Sequence, residues 1–127
     1  MRAILAFSAF ALFSSVSYAQ EPSPDGTWRD EFGTTIQFSL CGDGTQLCAV
    51  LIDVQGKSRT EGNVAFLNKQ IMQADQNAEN EWKGTVMFDG GEAESTITQV
   101  AADTIEIQGC RAVVLCQTLS FSRQPAA

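Results

Sequence analysis

The chain contains no histidine. That absence removes the commonest general base, the usual serine and cysteine triads and the imidazole ligand sets of catalytic zinc sites. Positive charge is scarce as well: eight Lys and Arg stand against fifteen Asp and Glu, a net charge of −7. With no basic cluster, nucleic acid and anionic lipid surfaces are not expected partners. No glycine-rich phosphate loop and no dinucleotide fingerprint appears. Low-complexity segments and internal repeats are missing too. Nothing has the periodicity of a long amphipathic helix, and only Phe66 to Gln76 leaves room for one.

The one marked apolar run is at the start. Met1-Arg2 is a short positive lead, Ala3 to Phe13 is apolar except for Ser8, and Ser14 to Ala19 is mostly small and polar. Ser17 and Ala19 put small side chains where a signal peptidase must accommodate them. The run is shorter than the about 20 apolar residues that span a bilayer. It reads as a signal peptide over residues 1–19, with a mature chain starting at Gln20. No cysteine follows closely, so no lipid anchor is expected, and no second run is long enough to anchor the mature chain in a membrane. Cleavage leaves 108 of the 127 residues, enough for one domain, with a net charge of −8 once Arg2 is gone.

Export decides how the cysteines are read. Four cysteines, Cys41, Cys48, Cys110 and Cys116, are an even number in a small exported domain, and an oxidising compartment makes disulfides the default. Neither close pair has the two-residue spacing of a zinc knuckle or a redox-active pair. Neither a metal nor another cofactor is expected.

The mature chain divides into short β-branched, aromatic and aliphatic stretches, with turn signals about every ten residues. Eight strands are expected: Thr27 to Glu31, Thr34 to Leu40, Leu47 to Val54, Phe66 to Ala74, Trp82 to Phe88, Glu92 to Val100, Thr104 to Gly109, and Leu115 to Arg123. Ile36, Phe38 and Leu40 share one face, whereas Leu47 to Val54 is apolar on both faces, as in a strand covered on both sides. Gly90-Gly91 suits a two-residue hairpin. Gln55 to Gly62 reads as a polar loop. The expected fold is all-β, an eight-stranded antiparallel up-and-down barrel, with an open sandwich as the alternative.

Strand parity then assigns side chains. Leu119, Phe121 and Arg123 share an inward face, and Cys116 points outward. Ile105 and Ile107 point inward, so Cys110 points outward. Cys110 and Cys116 therefore lie on one face of neighbouring strands across the reversal Arg111 to Leu115, and a disulfide between them is expected. A Cys41–Cys48 bridge is expected as well, although the two-faced apolar strand does not fix the direction of Cys48, and a bulge serves either parity.

Catalytic candidates are weak. Asp30 and Glu31 alternate on a strand, Glu92 and Glu94 sit beside a turn, and Asp43 and Asp89 are accounted for as turn residues. Gly26-x-Trp28 on the first strand and Arg123 on the last are more specific. An inward arginine needs acceptors or a flat partner, and in a closed barrel Trp28 is near enough to stack on it and plug one end. Ser95 and Gln99, flanking Ile97, and Gln117 on the last strand are inward polar residues that would orient a ligand in an apolar cup.

Gly26-x-Trp28 with a late Arg123 resembles the closing signature of the lipocalin-like, or calycin, barrels. The mature chain further resembles a bacterial family of exported proteins catalogued as domain of unknown function 2147. The likeness runs through Cys41-Gly42-Asp43, Leu47-Cys48, Trp82-Lys83-Gly84, Phe88-Asp89, Ile105-x-Ile107-x-Gly109 and the closing Phe121-Ser122-Arg123. Here Gly90 replaces the family's usual proline, Phe121 replaces its usual tryptophan, and a common tyrosine beyond the turn is absent. The resemblance implies a lipocalin-like barrel in the periplasm or beyond and brings no established activity.

The expectation is a non-enzymatic, periplasmic or secreted barrel that binds a small apolar ligand or an envelope protein. The alternative is a protein–protein interaction module. Small periplasmic metalloprotease inhibitors have a similar barrel and insert an N-terminal tail into the protease cleft; here that tail is the short, proline-containing Gln20 to Asp25.

Overall fold

The computed structural model describes residues 23–110 and 116–125. The proposed leader, residues 1–19, and the reversal Arg111 to Leu115 lie outside the described residues. Eight antiparallel strands follow one another around a closed barrel: β1 Gly26–Arg29, β2 Thr34–Cys41, β3 Gln46–Val54, β4 Gln70–Ala78, β5 Glu81–Phe88, β6 Gly91–Ala101, β7 Thr104–Cys110 and β8 Cys116–Arg123. Each strand pairs with its sequence neighbours, and β1 pairs with β8 through Trp28↔Arg123 and Arg29↔Ser122. This is the expected up-and-down barrel, and the alternative of an open sandwich falls away. Closure satisfies both ends of the sheet without leaving a full-length edge.

The inward faces form one apolar core, in which Trp28, Phe38, Leu47, Val54, Ile97, Ile105 and Phe121 are almost completely buried. The two-faced hydrophobicity of β3 has a different origin from the one expected. A register shift between Thr35 and Ile36 pairs Ile36 with Leu51 but Thr35 with Asp53, so Ile52 is an extra residue in β3. Such a bulge reverses the alternation. Leu47, Ala49 and Leu51 point inward before it and Val54 after it, while Ile52 stays exposed at 38%. The outer face of β3 is thus not covered along its length.

Several boundaries differ from the sequence reading. β1 ends at Arg29, so Asp30 and Glu31 stand in the β1–β2 connection and not on alternate faces of a strand. Residues 66–69 are not strand: β4 begins at Gln70, and Phe66 and Leu67 belong to a connection packed against the core. A short helix, α1 at Glu61–Val64, lies partly in the segment read as a polar loop, preceded by a 3-10 turn at Gly56–Ser58. Thr60 caps it, its hydroxyl accepting from the Asn63 N–H at 3.1 Å. The β5–β6 hairpin turns one residue earlier than expected: Phe88 pairs with Gly91, so the turn residues are Asp89 and Gly90. Both have positive φ, 50° and 79°, as the mirror-image type I turn requires.

Both expected disulfides are present. Cys110 and Cys116 are direct register partners with Cα atoms 4.1 Å apart. Cys41 pairs with Gln46 and Cys48 with Ser39, so the first bridge joins diagonal neighbours, 5.9 Å between Cα atoms. Because 39 and 41 share a face, as do 46 and 48, plain alternation places both sulfurs outward and the bridge uses no bulge.

Candidate functional site

The two ends of the barrel differ in kind. At the first, Trp28 is fully buried and its indole N–H donates to the Pro24 carbonyl at 2.9 Å. The Arg123 guanidinium lies over the indole, 4.4 Å from the ring centroid. It also donates to the carbonyls of Ala102 at 3.0 Å, Asp25 at 2.7 Å and Ser23. A cation on an apolar face needs such a set of acceptors. Gly26 is explained by the same packing: a Cβ there would stand 2.9 Å from Arg123 Nη1, and the bonded guanidinium has little freedom to yield. Phe38 meets Trp28 edge-on at 6.3 Å, and Phe121 meets Phe38 at 6.4 Å. Trp82 Nε1 ties β5 to the β2–β3 turn through the Thr45 carbonyl at 2.8 Å. This end is plugged. Gly26, Trp28 and Arg123 meet there, in the arrangement their parity implies.

At the other end the core does not fill the barrel. A cavity of about 410 Å³ opens there, with Phe121, Ile36, Leu51 and Ile107 among its deep residues and Val86 and Ala93 on its wall. The volume falls within the range of small-molecule sites, roughly 300–1,000 Å³. Thr34, Asn63, Ser95 and Gln117 supply the polar side chains of the wall, and no charged residue lines it among the described residues. An ionic group placed inside would lose hydration without a counter-charge.

The connection between β3 and β4 straps this mouth. Asn63 lines the cavity, donates to the Ser58 carbonyl at 2.8 Å and accepts from the Asp89 N–H at 2.9 Å. The Thr60 hydroxyl donates to Asp89. Gly62 lies against the hairpin so closely that a Cβ would be 2.5 Å from the Asp89 carbonyl carbon. The strap is therefore docked on the β5–β6 turn by hydrogen bonds and by a contact that admits no side chain.

The three inward polar residues part company. Ser95 lines the cavity, buried at 6% exposure, with its hydroxyl donating to the Ala93 carbonyl at 3.2 Å. Gln117 stands at the mouth, exposed, on the same wall. Gln99 does not line the cavity. It lies four residues beyond Ser95, about 13 Å along the strand, in the plugged end, where its amide reaches towards the Ser23 carbonyl at 3.4 Å. Parity places all three inward; the position along the barrel axis separates them. Asn63 is a further polar residue of the cavity wall that the sequence does not mark: it stands between the polar loop Gln55 to Gly62 and the strand expected from Phe66.

The Asp43 carboxyl, in the β2–β3 turn at the plugged end, is held below the ordinary range by the Thr45 hydroxyl and then by the Thr45 N–H. All four sulfurs are oxidised, and the described residues hold no group of three or more Cys, Asp or Glu placed for a metal. No helix among the described residues is long and apolar enough to cross a membrane. No protein-family model, no curated protein and no solved structure matches the chain.

Proposed function

We propose that this protein is an exported, non-enzymatic carrier whose barrel holds one small apolar molecule in its open end. The observation that carries the reading is the cavity of about 410 Å³, whose wall among the described residues is uncharged and mainly apolar, closed below by Phe38, Trp28 and Arg123. Burying apolar surface there contributes about 25 cal/mol per Å², so a ligand of modest size needs few polar contacts. Ser95 and Gln117 are the side chains that would orient it. The signal-peptide pattern of residues 1–19 and the two disulfides support export, and so does the resemblance to domain of unknown function 2147.

A tail-inserting inhibitor needs a free N-terminal segment, whereas the carbonyls of Ser23, Pro24 and Asp25 are engaged by Arg123 and Trp28. That favours the carrier over the interaction module. Native mass spectrometry of the protein, taken without denaturation from the cells that export it, tests the proposal. A retained neutral molecule lost on mild activation is the expected result. A bare polypeptide that also takes up no added alkane or alkyl alcohol would overturn it.

A further inference from the structure

Beside the cavity, a smaller recess of about 170 Å³ opens between the β1–β2 turn, the strap and the β5–β6 turn. Asn63, Phe88, Gln117 and Leu119 line both, so the two adjoin. Asp30 lines the recess and is 7% exposed. Its Oδ1 accepts the N–H groups of Phe32 at 3.0 Å and Thr34 at 2.8 Å, which makes the turn after β1. Its Oδ2 has no hydrogen-bond partner and is closed to solvent, so a donor entering from the recess reaches it only by displacing a lining side chain. The turn uses one oxygen only, and an asparagine would serve it equally. A carboxylate oxygen left without a donor costs free energy when buried, and such groups need an explanation.

We propose that the molecule carried is an amphiphile with a hydroxyl head, its apolar body in the barrel and its O–H donating to Asp30 Oδ2. This rests on the carrier reading of the barrel. The other charged groups of the recess narrow the head chemistry. Lys57 lines the recess and donates only, while Asp89 accepts from Thr60. A carboxylate head would face the two acids, and an ammonium head, which Asp30 would attract, would still be set against Lys57. A hydroxyl both donates and accepts, so it satisfies Asp30 and takes a hydrogen bond from the lysine without adding charge.

Calorimetric titration of the full chain with decan-1-ol, decyl methyl ether and decanoate tests this. The alcohol is expected to bind about tenfold more tightly than the ether, which has no donor, and decanoate most weakly. In Asp30→Asn, where an amide N–H donates to the oxygen of either head, the alcohol's advantage should fall below about twofold. A purely structural role for Asp30 would not move that ratio. Equal binding of alcohol and ether by the unaltered chain overturns this inference and leaves the carrier reading standing. An advantage that survives in Asp30→Asn overturns the assignment to Asp30. Binding of none of the three overturns both readings. Should the variant fail to fold, the alcohol-to-ether comparison on the unaltered chain still decides.

Discussion

Trp28 does three things at once: it fills the plugged end, caps the Pro24 carbonyl and seats Arg123. Trp28→Ala should lower unfolding stability by about 3–5 kcal/mol, read from a denaturant midpoint shift at unchanged slope. A loss under about 1 kcal/mol would mean that the plug is not a unit. Gln99 is the opposite case. Its Oε1 is buried with no partner, its amide contact is long at 3.4 Å, and Ser23's carbonyl keeps Arg123 as a donor. Gln99→Leu should therefore be neutral or stabilising by up to about 1 kcal/mol, since it removes a buried orphan of similar volume. Marked destabilisation in the same titration would show that Oε1 has a partner. The sequence made Trp28 and Arg123 legible because parity and closure both act on them. It left Gln99 ambiguous because alternation reports the face of a strand and says nothing about depth along the barrel.

At the scale of elements, most strands were legible from their alternation, and the failures have local causes. Phe66 and Leu67 look like strand because they are apolar, yet they pack on the core from an irregular strap. The helical turn at Glu61–Val64 is too short to show a helical period and is set by its Thr60 cap and by docking on Asp89. The β3 bulge at Ile52 was hidden for the same reason: a phase reversal reads as hydrophobicity on both faces. The Cys110–Cys116 bridge followed from parity alone, and it joins β7 to β8 at the mouth, where Cys116 lines the cavity. Replacing both cysteines by serine should cost roughly 2–3 kcal/mol on the chain-entropy model for so short a loop. Ligand affinity should fall alongside stability if the β7–β8 end forms part of the binding wall. A thermal scan with and without decan-1-ol reads both quantities. Loss of stability with ligand protection fully retained would separate the bridge from the site.

For the whole molecule, the division of the barrel into a plugged end and an open end is the central claim. The sequence carried the closed eight-stranded form and the identity of the plug. It did not carry the cavity, because an unfilled volume depends on how side chains from seven strands and the strap meet, and no short-range pattern records that. The most direct measurement is methyl-resolved NMR of the protein titrated with decan-1-ol. Shifts are expected at Ile36, Leu51, Ile71, Val86 and Ile107, which line the cavity, with Leu47, buried beside the β2–β3 turn at the plugged end, left almost unmoved. Shifts confined to exposed residues such as Ile52 and Val100, or no saturable shift at all, would contradict the claim.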